Sequence, residues 1–177
     1  MRRLLVRALQ LLALYAPGAT SVRVFLHRRR GVTIGDRVFI GADAIIETDR
    51  PELVRIGNGV TISIRVTIVA HFRGATPAER GEGRERYSVR IEDQAFIGPG
   101  SIILPGVTIH EGAVVAAGSV VASAVPAMTM VQGNPARPVA RCGIPLGPGT
   151  SAEEFYRNLR PLKSSQEPAA WNAGPGR

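Results

Sequence analysis

The chain has 177 residues, enough for one domain with a single hydrophobic core, and its net charge is +8. Its one cysteine excludes an internal disulfide framework and suits a reducing compartment such as the cytoplasm. The basic balance is typical of nucleic-acid-binding proteins. However, the chain has no aromatic stacking set, helix-turn-helix pattern or zinc knuckle, so we expect no nucleic-acid partner.

Residues 1–15 are rich in leucine and predict a helix that ends before Pro17. Its polar positions are Arg3, Arg7 and Gln10. The apolar run is shorter than the roughly 20 residues that a membrane-spanning helix needs. We expect residues 1–31 to form a helical cap that is retained in the mature protein, with the apolar face of the helix buried against Val32 and Ile34.

Two other interpretations of this segment stay open. Arginines before a leucine-rich stretch resemble a secretory signal peptide, although no Ala-x-Ala-like cleavage site follows cleanly. Eight arginines fall within the first 37 residues against one acid, Asp36, and this charge would suit an anionic cofactor, an anionic glycan or a membrane surface. Peripheral contact of residues 1–15 with the inner face of the membrane is therefore a second hypothesis.

Twelve aliphatic residues recur six positions apart, a period that neither a helix nor an alternating strand produces. They are Ile34, Ile40, Ile46, Ile56, Ile62, Ile68, Ile91, Ile97, Ile103, Ile109, Val115 and Val121. Two residues before each stands a small or β-branched residue, from Val32 to Ser119. Such a repeat predicts a solenoid in which each coil buries a face on the next and the isoleucines point inward.

The period of six is broken twice, each time after three hexapeptides or a multiple of three. The spacing is ten residues from Ile46 to Ile56 and 23 residues from Ile68 to Ile91. If three hexapeptides form one triangular coil, both insertions leave from the same corner on neighbouring coils. The first insertion, 47–55, would then lie next to the second, 73–88. Long excursions from a regular scaffold commonly carry function.

Beyond the repeats, glycines and prolines in 143–149 end the regular pattern. Ser151 and Glu154 form a capping box and predict a short helix. The Ser, Pro, Gly and Gln content of the remaining residues is typical of a disordered tail. The chain therefore divides into the cap, a solenoid over 32–141 and a C-terminal extension over 142–177.

The most specific stretch is Gly98-Pro-Gly-Ser-Ile-Ile-Leu-Pro-Gly-Val-Thr-Ile109, and a Gly133-Asn-Pro-Ala-Arg motif closes the repeats. Over 32–141 this pattern resembles the hexapeptide-repeat acyltransferases, in particular the galactoside, maltose and polysaccharide O-acetyltransferases. The resemblance implies an all-β solenoid: a left-handed parallel β-helix of about four coils, with an N-terminal capping helix and a short C-terminal helix. It also implies a homotrimer.

His71 is the candidate catalytic residue, since it stands three residues after Ile68, where the longer insertion departs. Acyl transfer from a thioester to a hydroxyl needs a base for the hydroxyl proton and an acid for the leaving thiolate. One imidazole can do both in turn because its pKa lies near neutrality. In the family that the chain resembles, a histidine before the long loop has this role.

The other two histidines are interpreted as non-catalytic. His110 occupies a coil position that should face solvent, and His27 lies among arginines before the first coil. The γ-class carbonic anhydrases share the predicted fold but bind zinc through three imidazoles, including a close pair. The nearest two histidines here, His71 and His110, are 39 residues apart, so we expect no metal site.

The resemblance implies acetyl coenzyme A as the acyl donor, with its pantetheine arm lying along the prism between two subunits. The positions that match the family's donor-binding positions are Phe96, Pro99, Ala117, Ala122, Ser123, Arg137 and Arg141. The first three correspond to the arm, and Arg137 corresponds to a basic residue at the nucleotide end.

The match departs from the family at the nucleotide end. Ala122 and Ser123 replace a Thr-Lys pair that holds the nucleotide in many relatives. Arg141 stands beside the usual position of a second basic residue. Arg141, or an arginine of the long insertion such as Arg73, is expected to assist Arg137 in binding phosphate.

The acceptor is expected to be a hydroxyl of a sugar, a polysaccharide precursor or a glycosylated metabolite, because such acceptors are frequent in the family. Sugar-modifying members orient the hydroxyl with an upstream asparagine, and here the asparagine before His71 is Asn58. Asp43, Glu47 and Asp49 are candidate substitutes. The alternative hypothesis is a non-catalytic hexapeptide-repeat scaffold, which the missing Thr-Lys pair favours and His71 beside a long insertion opposes.

Overall fold

Twelve short strands stack into three flat parallel sheets, in a computed structural model that describes residues 2–71 and 86–162. Sheet 1 consists of β1 (Thr33–Ile34), β4 (Val54–Ile56), β7 (Val89–Ile91) and β10 (Thr108–Ile109). Sheet 2 contains β2 (Phe39–Ile40), β5 (Thr61–Ile62), β8 (Phe96–Ile97) and β11 (Val114–Val115). Sheet 3 consists of β3 (Ile45–Ile46), β6 (Thr67–Ile68), β9 (Ile102–Ile103) and β12 (Val120–Val121). These are four coils of a left-handed β-helix, which confirms the predicted fold.

The twelve repeat residues form the core of the prism, as the period predicted. Each is at most 9% exposed, and equivalent residues pair in register, as Ile46 does with Ile68. Coils approach so closely at the corners that some positions have no room for a side chain. At Gly98, between sheets 2 and 3, a Cβ would lie 2.6 Å from the amide nitrogen of Ala117 in the next coil. We call the three edges of the prism corner 1–2, corner 2–3 and corner 3–1, after the sheets that they join.

Both insertions leave from corner 3–1, on neighbouring coils, as the spacing predicted. The first contains a 3-10 turn over Pro51–Leu53 and returns to β4. The second returns to β7, and only its residues 86–88 belong to the described part of the chain. The register of β3 on β6 brings the departure points of the two insertions together.

The N-terminal cap consists of two helices, α1 (Arg2–Tyr15) and α2 (Val22–Arg30), whereas the sequence predicted one. The described residues contain no helix that is long and apolar enough to cross a bilayer. The two helices pack on each other and on the strands of the first coil. They cover the end of the prism that would otherwise expose the first coil to water.

Three arginines of the cap replace a missing coil. Inside the prism, the carbonyl at the end of each strand accepts a hydrogen bond from a backbone N–H of the preceding coil, as Ile56 O does from Gly35 N at 2.8 Å. The first coil has no preceding coil, so its strand-end carbonyls need other donors. The donor–acceptor pairs are Arg28 Nε to Ile34 O at 3.2 Å, Arg23 Nη1 to Ile40 O at 2.6 Å, and Arg30 Nη1 to Ile46 O at 2.8 Å. Part of the basic charge of this segment is therefore structural.

The orientation of α1 differs from the expectation. Its buried residues are Val6, Gln10 and Ala13, while Leu4, Leu5, Leu11, Leu12 and Tyr15 are exposed. Gln10 belongs to the buried face because its Nε2 donates to Ala44 O at 3.1 Å. The prediction that the apolar face is buried against Val32 and Ile34 is therefore wrong: the helix approaches the first coil through smaller residues and a hydrogen bond.

The far end of the prism is closed by three further strands, β13 (Thr129–Gly133), β14 (Ala136–Cys142) and β15 (Leu159–Pro161), which extend sheet 2. Helix α3 (Ala152–Arg157) begins at the predicted cap, where Ser151 Oγ accepts from Glu154 N at 3.1 Å. Phe155 of this helix packs with Val114 and Cys142 in a second small core. The predicted disordered tail, from residue 163, lies outside the described residues.

Candidate active site

His71 and Glu47 meet at corner 3–1, where the two insertions depart. Glu47 directly follows β3, and His71 stands three residues after β6 on the next coil. The Nδ1 atom of His71 lies 2.8 Å from the carboxylate of Glu47. The His71 side chain is 29% exposed, whereas that of Glu47 is fully buried. The imidazole is therefore open to solvent on one side and bound to protein on the other.

The Glu47 carboxylate is held by a set of backbone amides as well as by His71. It accepts hydrogen bonds from the backbone nitrogens of Asp49 at 2.8 Å, Arg50 at 3.0 Å and Ala70 at 2.7 Å. Burial alone would raise the pKa of Glu47, but these hydrogen bonds and the one from His71 outweigh it and lower the pKa. The carboxylate is therefore ionised at neutral pH despite its burial.

An ionised carboxylate accepts hydrogen bonds and cannot donate them. Nδ1 of neutral His71 must therefore carry the proton that faces Glu47, which leaves the lone pair on Nε2. The backbone of Glu47 adopts a positive φ of 31°, uncommon for a residue with a side chain, and the surrounding hydrogen bonds hold it there. This arrangement presents a proton acceptor of defined orientation at the mouth of the corner.

Glu47 is the functional residue whose role the sequence interpretation missed. It was a candidate for orienting the acceptor, but its complete burial behind His71 excludes direct contact with an acceptor. The shared corner of the two insertions was the signal that could have found it, since that geometry already placed 47–55 beside the departure of 73–88. Glu47, the first residue of the shorter insertion, is the carboxylate that contacts Nδ1 among the described residues.

The other candidates for orienting the acceptor occupy different places. Asp43 lies in corner 2–3 and forms an exposed ion pair with Arg65 at 3.8 Å. Asn58 lies in corner 1–2, where its Nδ2 donates to Asp93 Oδ2 at 3.1 Å. Asp49 lies beside the site, where its backbone N–H donates a hydrogen bond to the carboxylate of Glu47. Neither Asp43 nor Asn58 is therefore at the corner that holds His71.

Most of the donor-binding positions predicted from the sequence border sheet 3. Pro99 and Ala117 are exposed in corner 2–3 on successive coils, joined there by the bond from Gly118 N to Pro99 O at 2.8 Å. Ala122 and Ser123 follow β12 in corner 3–1, two coils beyond His71. These two edges bound the flat outer face of sheet 3.

The remaining donor-binding positions lie on sheet 2 and its extension. Arg137 and Arg141 are both exposed on β14, and Arg141 Nη1 donates to Thr129 Oγ1 at 2.9 Å. Phe96 is on β8, half-buried against the second small core around Cys142. Arg73, the proposed additional phosphate ligand, lies outside the described residues.

The other two histidines have different surroundings. His110 is 43% exposed and pairs with Glu92 at 3.0 Å, in line with its predicted place at the surface. His27 is fully buried, and its Nδ1 accepts from Arg30 Nη1 at 3.0 Å. Burial, followed by the nearby Arg30 charge, lowers the pKa of His27 to about 3. Within the described ranges, no three His, Cys, Asp or Glu residues are grouped as a metal site would require.

Two family models match the sequence. The model of the bacterial transferase hexapeptide (six repeats) matches residues 88–123, and the model of the hexapeptide repeat of succinyl-transferase matches residues 31–64. Both segments lie largely within the four coils, and together they include eleven of the twelve inward repeat residues, all except Ile68. No curated protein matches the sequence.

Several solved structures are similar to this one. An acetyltransferase with hexapeptide repeats from Vibrio cholerae O1 biovar eltor, complexed with acetyl coenzyme A, is 26% identical, with 79% of this chain and 86% of that chain covered and a TM-score of 0.62. Soybean serine acetyltransferase, as the apoenzyme, is 29% identical over 78% of this chain and 56% of its own, with a TM-score of 0.50. A galactoside acetyltransferase in complex with coenzyme A, 23% identical over 79% and 80% with a TM-score of 0.54, shares the fold.

The sequence matches and the structural similarity agree with the geometry of the prism. The matched segments contain the repeats that build the core, and the similar structures belong to acetyltransferases. The insertions of the regular prism meet at a corner that holds an oriented histidine. The chain therefore carries the hexapeptide repeats of bacterial transferases on a left-handed β-helix, a fold that it shares with the similar acetyltransferases, and this similarity supports acyltransferase activity.

Proposed function

We propose that the protein transfers an acetyl group from acetyl coenzyme A to a hydroxyl of a sugar, a polysaccharide precursor or a glycosylated metabolite. The observation that carries the proposal is the bond between His71 Nδ1 and the buried, ionised Glu47 carboxylate. It prepares Nε2 as a base at an open corner of the prism. The similar Vibrio cholerae acetyltransferase, which was solved with acetyl coenzyme A, supports the choice of donor.

The reaction follows from the orientation of the imidazole. His71 Nε2 accepts the proton of the acceptor hydroxyl as its oxygen attacks the thioester carbonyl carbon. Glu47 stabilises the imidazolium that forms, in the manner of the carboxylate of a catalytic triad. The imidazolium then returns the proton to the departing thiolate as the carbon–sulfur bond breaks. His71 ends in its starting state, so one residue serves as base and then as acid.

The donor is proposed to lie along the outer face of sheet 3, between its two edges. The exposed small residues of corner 2–3, Pro99 and Ala117, leave room for an extended arm beside the backbone. Arg137 and Arg141 are exposed cations on β14, at the far end of the prism, and suit the phosphates. The half-buried Phe96 can contribute only its exposed edge.

A homotrimer is proposed to complete this site. The outer face of sheet 3 carries the exposed Ile45 and Ile102, and Ile64 lies at its edge, 50% exposed. Flat apolar rows of this kind are suited to packing against a second copy of the chain. A neighbour on this face would enclose the space beside His71. Analytical ultracentrifugation should therefore give a trimer, and a monomer at micromolar concentration would contradict the proposed site.

The cap is proposed to contact an anionic membrane surface. The exposed residues of α1 recur at helical spacing and form one apolar stripe. Phe25 of α2, the second helix of the cap, is also 58% exposed. Arginines such as Arg7 and Arg29 border the exposed part of the cap. Apolar surface together with cations matches the anionic lipids of the cytoplasmic leaflet.

The membrane contact is tested by sedimentation with vesicles. The protein should sediment with vesicles that contain phosphatidylserine, and less with vesicles of phosphatidylcholine alone. Replacing the exposed Leu5 and Leu12 with glutamine should abolish the binding while leaving the fold unchanged. Equal binding of this variant and the wild type would show that α1 does not contact the membrane.

The activity is tested by release of free thiol from acetyl coenzyme A in the presence of candidate acceptors. The panel contains monosaccharides, oligosaccharides, glycosides and simple alcohols, and it includes serine because of the similar serine acetyltransferase. We expect thiol release that depends on a sugar-type acceptor, with an acetyl ester in the product by mass spectrometry. Transfer to serine alone would overturn the acceptor class. Absence of both transfer and acetyl coenzyme A binding by calorimetry would overturn the function.

A further inference from the structure

Arg30 is a buried cation that reaches from the cap to the residue that binds His71. It is the last residue of α2 and only 2% exposed. Its Nε donates to Val6 O of α1 at 3.1 Å, and its Nη1 donates to Ile46 O at 2.8 Å. Its Nη2 donates to the backbone carbonyl of Glu47. Burial lowers the pKa of Arg30 to about 10, against the effect of Glu47, so the guanidinium stays charged at neutral pH.

These contacts hold the backbone of Glu47, whereas His71 contacts its carboxylate. The amide of Glu47 donates to Ile68 O at 2.8 Å, and its carbonyl accepts from Arg30. The two peptide groups that flank its Cα are therefore both held while the backbone has a positive φ. The direction of the side chain follows from that backbone conformation. Loss of the guanidinium would free the carbonyl and allow the carboxylate to turn away from Nδ1.

We propose that Arg30 is a positioning residue for catalysis, so that the N-terminal cap forms part of the active site. It acts through Glu47, whose carboxylate sets the tautomer and the orientation of His71. This inference rests on the proposed acyl transfer for its kinetic consequence. Its structural consequence, the tautomer of His71, can be measured without any substrate.

The other capping arginines of α2 separate a capping role from a positioning role, because they bind strand-end carbonyls without contacting the site. Arg28 and Arg23 also donate to strand-end carbonyls of the first coil, those of Ile34 and Ile40. Those carbonyls precede corners 1–2 and 2–3. Arg28 also reaches the next residue, since its Nη2 donates to Gly35 O at 2.5 Å, but that pair of bonds ends at corner 1–2, whereas the pair made by Arg30 ends on Glu47 at corner 3–1. Arg28 is therefore a matched control for loss of a tether between cap and coil.

The kinetic test compares Arg30→Gln, Arg30→Lys and Arg28→Gln with the wild type, as full-length proteins. We expect Arg30→Gln to lower kcat about 10–100-fold, the range found when residues that orient a ligand or base are removed, with KM for acetyl coenzyme A nearly unchanged. Arg30→Lys should lie between this variant and the wild type. Lysine keeps the charge but lacks the planar fork that serves several carbonyls. Arg28→Gln should retain wild-type kcat.

The structural test uses the three histidines of the chain as probes. In protein labelled with 15N-histidine, the His71 ring should show a protonated Nδ1 and an unprotonated Nε2 in the wild type and in Arg28→Gln. In Arg30→Gln the signals should shift towards a mixture of the two tautomers. His71→Gln and His110→Gln assign the signals.

The outcomes separate this proposal from the proposed function. If the wild type transfers no acetyl group but Arg30→Gln changes the tautomer of His71, the function fails and the positioning role stands. If both Arg30 variants keep the wild-type tautomer and kcat, the positioning role is overturned. It is also overturned if neither variant gives a folded protein, since Arg30 would then be a residue of folding, or if Arg28→Gln has the same effect.

Discussion

Two histidine–glutamate pairs lie on the same prism, and they differ in burial rather than in distance. His71 Nδ1 is 2.8 Å from Glu47 at corner 3–1, and His110 Nδ1 is 3.0 Å from Glu92 at corner 1–2. Glu47 is fully buried, whereas the Glu92 side chain is 45% exposed. By the distance between nitrogen and carboxylate alone, the two pairs are nearly equivalent.

The surroundings of each carboxylate explain why only one pair has the properties of a catalytic site. The Glu47 carboxylate accepts hydrogen bonds from three backbone amides in addition to the one from His71. The Glu92 carboxylate accepts one from a backbone amide, that of Glu111 at 3.2 Å. An exposed ion pair is screened by water and contributes little to the order of either side chain. A buried carboxylate with all its bonds formed holds its partner in one orientation. Burial and satisfied hydrogen bonds, not proximity, distinguish the sites.

The largest expected effect is that of removing each histidine in turn. His71→Ala removes both the base and the acid and should lower kcat by about 10²–10⁴-fold, the usual contribution of acid–base catalysis. His110→Ala should leave kcat unchanged. Thiol release measures both, and the melting temperature of each variant should remain close to the wild type. If His71→Ala keeps more than about a tenth of the activity, the mechanism is wrong.

The next effect concerns the two carboxylates. Glu47→Gln should lower kcat about 10–100-fold, because the uncharged amide no longer stabilises the imidazolium. It should also lower the free energy of unfolding by about 1–3 kcal/mol, since its NH2 group cannot accept the backbone amides that the carboxylate accepted. Glu92→Gln is the matched control, with an expected change within about 0.5 kcal/mol. Urea unfolding and thiol release test the pair, and equal effects at the two sites would show that burial does not set Glu47 apart from Glu92.

The third histidine extends the comparison to one that is buried beside a cation instead of a carboxylate. The pKa of His27 is lowered from 6.5 to about 3, so below about pH 6.5 the unfolded chain binds a proton that the folded chain does not. The free energy of unfolding should therefore fall as the pH decreases through this window, by about 2 kcal/mol from pH 7 to pH 5. Glu47, whose pKa is also lowered, contributes in the same direction but only near and below its ordinary value of 4.5.

Urea unfolding at pH 7 and pH 5 measures the contribution of His27. His27→Asn keeps an acceptor for Arg30 and does not titrate, so its stability should change much less between the two values. A wild-type protein that is equally stable at pH 5 and pH 7 would contradict the burial of a neutral His27.

The smallest expected effect is at an exposed charge on β14, at the far end of the prism. Arg137→Ala should raise KM for acetyl coenzyme A about 2–5-fold with little change in kcat, because an exposed cation at a phosphate contributes up to about 1 kcal/mol to binding. Arg160, an exposed arginine on β15, offers a control whose replacement with alanine should leave KM unchanged. An unchanged KM for Arg137→Ala would remove Arg137 from the donor site.

The sequence predicted the fold, and the place of His71 within it, because the period of six is a local property. Each hexapeptide repeats the same inward residue and the same small corner residue, so the number of coils and the core could be counted along the chain. The insertions after Ile46 and Ile68 could be placed at one corner by the same count. His71 then stood out as a titratable residue at the departure of the longer insertion.

What the tertiary structure alone decided concerns contacts that no period records. Glu47 became the partner of His71 because the turn after it supplies two amides and the next coil supplies a third. Helix α1 turned its leucines outward because Gln10 and small residues fit the end of the first coil. Arg30 was one basic residue among many until the strand-end carbonyls of a coil without a predecessor required donors. The sequence by itself determined the prism, since the six-residue repeat can be recognised from the order of residues alone. The oriented histidine depended on which polar groups burial forced to pair, and that is settled only when the ends and corners of the prism are packed.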